Sequence, residues 1–329
     1  TRAIALLEHL APAWFAMVMG WCGLSQAWLR ATDIFGDTAL GLGLIAAIFA
    51  QLIFVLLCLA CIVRLQVHPN AVAADMRHPV RHAFMATLPV SILLLASLGI
   101  NLFWGTDRTL DTALTFLWCV GSVLEVAATA WVISRWLKAS ENGGIQWATF
   151  TPVFFIPVVG NVLAPLGGVS IGLEAWATAQ FGVGLFLWVV LQTLFFVRLA
   201  QAGPLPARLA PSLFITIVPP SISGLSLLQL DAPLTAAWMM WGIGAFFLLL
   251  ALTQIAAIRE QPFSMAHWGM SFPLAAFTSL TLRMTHAPGG AWLQIPATLL
   301  LAITSLLIVG LTLNTWHGLR HGHLLAPEK

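Results

Sequence analysis

Residues 149–166 read TFTPVFFIPVVGNVLAPL. The run contains no charged residue, and it is just long enough to cross the hydrocarbon core of a bilayer, which takes about 20 apolar residues and at least about 17. Its middle is nevertheless interrupted by Pro157, with Gly160 and Asn161 close behind. A proline inside a helix removes one backbone hydrogen bond and bends the chain. In lipid the freed carbonyl needs a new partner, so such a segment belongs in a protein interior or beside an aqueous cavity.

Working outward, the same reading finds apolar runs at 12–29, 39–63, 83–104 and 112–134 before this one, and at 176–197, 209–228, 234–257, 265–285 and 291–315 after it. The links between them are short and polar. Of the 329 residues, 60% are apolar and 8% are charged, whereas soluble domains carry roughly a quarter charged residues. A chain this poor in charge could not cover a water-facing surface, and a bilayer is the solvent that suits it. Length alone would allow two soluble domains, but hydropathy overrides it. The expectation is an all-α integral membrane protein, with residues 1–329 forming a single domain of ten transmembrane helices. The first run has no clear cleavage site and is followed by many more, so it is read as a retained helix and not a signal peptide.

The formal net charge is +2, with no basic tract of the kind that tracks phosphates, so no nucleic-acid partner is expected. Cys22, Cys58, Cys61 and Cys119 all fall inside apolar runs and read as small buried hydrophobes. With no tyrosine in the chain, any aromatic belt falls to tryptophans such as Trp28, Trp104, Trp136 and Trp147 near the ends of the runs.

Basic residues set the orientation. Loops on one side hold Arg2, Arg64, Arg77, Arg81, Arg135, Lys138, Arg198, Arg208, Arg259, Arg320 and Lys329; the other side holds Arg30, Arg108 and Arg283. Eleven against three places both termini in the cytoplasm, with the chain in a bacterial inner membrane.

Prolines follow a period of two helices. Pro89, Pro157, Pro219 with Pro220, and Pro273 interrupt the third, fifth, seventh and ninth runs, while the second, fourth, sixth and eighth have none inside. Bent helices belong inside and straight apolar ones outside, which gives five helical hairpins with five inner proline-kinked helices around a central pore and five outer helices. Gly20, Gly23, Gly99, Gly160 and Gly224 also lie on odd runs, where small residues open space or allow close packing.

Several stretches carry a family likeness. His78-Pro79-Val80-Arg81 leads toward Pro89; Phe154-Phe155-Ile156-Pro157-Val158-Val159-Gly160-Asn161 follows in the fifth run; Ala210-Pro211-Ser212 precedes Pro219-Pro220-Ser221; Gln261-Pro262-Phe263 precedes Trp268-Gly269-Met270-Ser271-Phe272-Pro273. In this order they resemble the tellurite-resistance/dicarboxylate transporter family, which includes bacterial TehA proteins, fungal malate permeases and plant slow-type anion channels, and the likeness is strongest to TehA-like members. The resemblance implies a homotrimer with one pore per protomer and passage of small inorganic anions or dicarboxylates.

It also marks Phe272 as the family's pore-plugging phenylalanine, an aromatic ring that blocks an ion until its rotamer changes. Arg283 lies eleven residues further on, about 20° past three full turns, so a regular helix points both side chains the same way. It fits either a cation on the pore wall or an arginine snorkelling to the interface. Asn161, Ser221 and Ser223, beside Gly20 and Gly160, can serve a passing anion or the carbonyls freed by proline. Glu125 sits deep in a run, where insertion of a charge costs roughly 3 kcal/mol; it fits a proton site or a hydrogen bond between helices.

His78 with His82 and His317 with His321 have helical spacing, but no third ligand recurs nearby, so no metal is expected. No cofactor motif, catalytic serine motif or phosphate loop is present. The functional expectation is an anion channel gated by Phe272; the alternative is a proton-coupled carrier of C4-dicarboxylates such as malate or succinate, motivated by Arg283 and Glu125. An enzyme would need titratable groups clustered at one membrane depth, which the runs lack. Nothing in the residues shows tellurium chemistry, so any tellurite resistance would come from export or altered anion flow.

Overall fold

The computed structural model describes residues 5–138, 144 and 146–325. Arg2 and Lys329, used above for orientation, lie outside the described residues. The chain is nearly all helical, with no strand among the described residues.

The main helical segments are α1 (Ala16–Arg30), α2 (Thr32–Val67), α3 (Arg81–Phe103), α4 (Arg108–Trp136), α5 (Pro152–Gly168), α6 (Glu174–Ala202), α7 (Ala207–Gln229), α8 (Leu234–Leu252), α9 (Ser271–Met284) and α10 (Ala291–Arg320). Seven of them, α2, α3, α4, α6, α7, α8 and α10, are long and apolar enough to cross a membrane. Within α2 the helix is broken at Gly36, whose φ of 55° is a left-handed conformation that glycine adopts without a steric penalty.

Burial divides the segments by parity. In the apolar windows of α3 and α7, 72% and 83% of residues are buried, against 17% to 33% in α2, α4, α6, α8 and α10. In α9 every residue except Arg283 is buried. The even helices instead expose large apolar side chains such as Phe116, Phe186 and Leu306, a surface that lipid solvates and water does not.

Neighbour contacts run α1 to α3, α3 to α5, α5 to α7, α7 to α9 and α9 back to α1, so the odd segments close on themselves. Each also packs on the even helix that follows it. Small residues permit these approaches. Gly99 receives Leu114 in the α3–α4 pair, Gly184 receives Val162 in α5–α6, and Ser25 donates to the Gly43 carbonyl at 2.7 Å in α1–α2. The Thr278 and Thr304 hydroxyls meet at 3.0 Å in α9–α10.

The prolines are placed differently from the sequence expectation of bends within continuous helices. Each odd segment opens with 3₁₀ turns (Pro12–Phe15, Arg81–Ala86, Pro152–Phe155, Ala207–Ile217 and Met265–Met270) and then becomes α-helical. Pro89, Pro157, Pro219, Pro220 and Pro273 stand in the first turn of the α-helical part. There an N–H has no intrahelical partner to lose, so proline is tolerated. The 3₁₀ stretches touch one another in the same cyclic order as the odd segments, so they gather at one end of the assembly.

At that end a short helix, Pro69–Arg77, is fastened by a buried ion cluster. Asp75 accepts from Arg64 Nη2 at 2.7 Å and from Arg81 Nη1 at 2.9 Å, and Arg64 also donates to the Glu8 carbonyl at 3.1 Å. Arg135 of α4 donates to the carbonyls of Met76 and Arg77, tying the first half of the chain together.

Candidate pore

The closed set of odd segments encloses a cavity to which all five contribute. Gly23, Gln26 and Arg30 come from α1, Leu94 and Ser97 from α3, Leu163 and Leu166 from α5, Ile222 and Leu225 from α7, and Phe272, Ala276 and Ser279 from α9. The space measures about 330 Å³ including its open mouth. A second space of about 290 Å³ shares Arg30, Leu166 and Leu225 with the first and adds Leu228, Gln229 and Arg283. The two spaces are neighbours, and no carboxylate among the described residues lines either.

Phe272 is 4% exposed and its ring lies against Gly23. It is the second residue of the α-helical part of α9, and regular helix from there carries Arg283, exposed, to the second space. The wall of the first space is mostly apolar, with Gln26, Arg30, Ser97 and Ser279 as its polar side chains. The Ser279 hydroxyl is buried and has no partner in the protein among the described residues.

The other sequence candidates lie elsewhere. Asn161 is turned toward α4 and α6: its Nδ2 donates to Thr129 Oγ1 at 2.7 Å and to the Pro157 carbonyl at 2.9 Å, and its Oδ1 accepts from Gln180 Nε2 at 3.3 Å. The chain of bonds continues through Ser122, which donates to Gln180 Oε1 at 2.6 Å and accepts from Trp176 Nε1 at 2.7 Å. Asn161 is thus engaged in bonding a carbonyl of its own helix and in linking three helices. Ser221 donates back to the Ile217 carbonyl at 2.7 Å and borders Gly244 of α8. Ser223 is buried, its hydroxyl has no partner among the described residues, and it lines neither space.

Gly20 meets Ser271 and Trp268, so it serves the contact between α1 and α9. Gly160 faces away from the cavity and toward Glu125: a Cβ at Gly160 would stand 2.2 Å from the Glu125 carboxyl. Glu125 is fully buried, and neither carboxyl oxygen has a partner in the protein among the described residues.

Sequence reasoning missed Gly23 and Arg30. Gly23 was placed only among glycines of odd runs, and Arg30 only among loop cations; its position at the last residue of α1, one turn beyond Gln26, was the available signal. His82 is buried, its Nδ1 2.8 Å from the His78 carbonyl and its ring edge-on to Trp131 and Phe154. No group of three His, Cys, Asp or Glu side chains among the described residues is placed to hold a metal ion.

Comparison with known proteins gives this arrangement a context. The Methanocaldococcus jannaschii transporter MJ0576 is 25% identical over 309 residues, covering 83% of this chain and 83% of its own. The Arabidopsis thaliana S-type anion channel SLAH2 is 26% identical over 247 residues, covering 74% of this chain but 46% of its own. The Haemophilus influenzae tellurite resistance protein TehA homolog is 22% identical over 280 residues, covering 84% and 82%. These are channels and transporters and not enzymes, and they come from the family that the sequence resembles. The family described as voltage-dependent anion channel, SLAC1, matches residues 9–316 from the first 3₁₀ turns into the last helix, and this chain belongs to it.

Proposed function

We propose that the chain passes small anions across a membrane through the route between the five odd segments, with Phe272 as its stopper. The observation that carries this reading is the cavity beside Phe272, to which every odd segment contributes and in which Arg30 is the one charged side chain among the described residues. An apolar wall with an aromatic constriction holds an ion weakly, as conduction requires, and a cation toward the mouth favours negative charge. On this reading the ten helices cross the membrane as five hairpins, with both termini in the cytoplasm of a bacterium and the protein in its inner membrane. The family likeness supports a homotrimer with one pore in each protomer.

The alternative, a proton-coupled C4-dicarboxylate carrier, draws on Glu125. That residue lies behind Gly160, off the cavity lining, so it supports coupling less directly than a carboxyl on the route would.

The test is purified protein in liposomes, with chloride, nitrate, sulfite and malate flux compared with and without a pH gradient. Phe272→Ala is expected to raise flux of the smaller anions. Flux unchanged by that substitution removes the stopper, and malate flux that saturates and follows the pH gradient establishes the carrier instead.

A further inference from the structure

Arg30 and Arg283 come from different inner segments, α1 and α9, and line one recess together with Gln229. Neither forms an ion pair with a carboxylate among the described residues. Cations at the opposite end are engaged: Arg64 and Arg81 share Asp75, and Arg135 caps two carbonyls. Asp33, three residues beyond Arg30, sits against His286 at 3.4 Å.

Arg30 is held in place without being neutralised. Its Nη1 donates to Gln26 Oε1 at 2.8 Å and to the Gln26 carbonyl at 3.2 Å. Gln26 Oε1 is fixed in turn by Asn101 Nδ2 of α3 at 3.2 Å. Both acceptors are neutral, so the full charge remains, and the Nη2 and Nε groups of Arg30 donate to nothing in the protein among the described residues. Arg283 makes no hydrogen bond there at all.

Two guanidiniums that share a recess repel one another, and an anion between them offsets the repulsion. A singly charged ion offsets only one of the two charges. An anion with two negative charges can engage both, and the planar guanidinium fork matches the paired oxygens of a carboxylate or oxyanion.

We propose that Arg30 and Arg283, with Gln26 orienting Arg30, form a binding site for a small dianion at the mouth of the route. The site deepens the pore reading and rests on it for position; its ligand class follows from the arginines themselves. Because Arg30 also lines the cavity beside Phe272, a bound dianion stands on the approach to the stopper.

The experiment is calorimetric titration of the full chain in detergent micelles with sulfate, succinate or chloride, at one ionic strength so that screening is equal. Sulfate or succinate is expected to bind and chloride not to bind measurably, and whichever of the two binds tighter shows whether the site takes a single oxyanion or two carboxylates. Arg283→Gln is expected to weaken dianion binding about tenfold, the loss of one charge-assisted partner. Arg283→Lys should recover part of that loss, and Arg108→Gln, which lines neither space, should cause none. Arg30→Gln should act like Arg283→Gln; if it fails to fold, the exposed Arg283, which makes no internal bond, carries the test alone.

Dianions that bind no tighter than chloride, or that ignore Arg283→Gln, overturn the site. Chloride flux raised by Phe272→Ala without dianion binding removes the site and leaves the pore. Dianion binding without flux removes the pore reading and leaves the site.

Discussion

The ring of Phe272 is seated on Gly23: a Cβ built at Gly23 would stand 3.0 Å from Phe272 Cδ2 and 2.8 Å from the Ala275 Cβ. No real methyl group sits that close to both, so the ring keeps its place because α1 presents bare backbone there. Gly23→Ala should push the ring from this seat and raise anion flux in liposomes, though by less than removing the ring through Phe272→Ala. Flux equal to that of the unsubstituted protein would show that the seat does not hold the stopper.

Glu125 and Gly160 form a second matched pair. Gly160→Ala forces the added methyl into the Glu125 carboxyl, and overpacking of this kind costs about 1–3 kcal/mol. Shortening Glu125 to alanine opens that space, so the double variant Gly160→Ala, Glu125→Ala should lose less stability than the two single losses added together. Thermal unfolding in detergent measures the cycle, and strict additivity would refute the coupling.

Glu125→Gln keeps the shape and removes the ionisable group. Since neither carboxyl oxygen has a protein partner, the substitution should leave the unfolding temperature equal or higher. It should also leave the pH dependence of chloride flux unchanged, because Glu125 is off the route. A pH response that vanishes in this variant would instead tie Glu125 to proton movement.

Asp75 is the shared acceptor of Arg64 and Arg81, and the Arg64 side chain is only 6% exposed. Asp75→Asn leaves that buried guanidinium without its counter-charge and should cost about 3 kcal/mol or more. Arg81, a third exposed on the same carboxylate, should cost under about 1 kcal/mol when changed to glutamine. Equal losses in the two variants would mean that the cluster does not anchor the short helix through Arg64.

Asn161→Leu removes the amide that bonds Thr129, Gln180 and the Pro157 carbonyl and should cost about 1–3 kcal/mol for the lost bonds. Flux per folded molecule should not change, since the amide faces α4 and α6. A flux defect larger than the loss of folded protein would return Asn161 to the conduction path.

The parity of the helices was legible because proline marks an inner segment whatever surrounds it. The facing of individual side chains was not. In a helix whose residues are nearly all apolar there is no polar stripe from which to read direction, so Gly20 and Gly23, three residues apart, could not be ranked against the ring. Asn161 reads from sequence as a group for a passing anion or for a carbonyl freed by proline; its amide bonds Thr129, Gln180 and the Pro157 carbonyl, contacts across helices that a single sequence does not specify. Arg30 was counted as a loop cation because charge at the end of an apolar run usually marks the water interface. Arg283 is placed by register from Phe272, and α9 is regular helix from Phe272 to Met284.

The 3₁₀ openings of the inner segments also change how far each one reaches. An α-helix advances about 1.5 Å per residue and a 3₁₀ helix about 2.0 Å. The 14 residues of Ser271–Met284 alone extend about 21 Å, short of the roughly 30 Å hydrocarbon core, but the six residues of Met265–Met270 bring the total to about 33 Å. For α1, the 15 residues of Ala16–Arg30 and the four of Pro12–Phe15 give about 30 Å together. On the proposed reading in which all ten helices cross the membrane, the longer rise of the 3₁₀ turns lets α1 and α9 match the thickness of the hydrocarbon core without added residues.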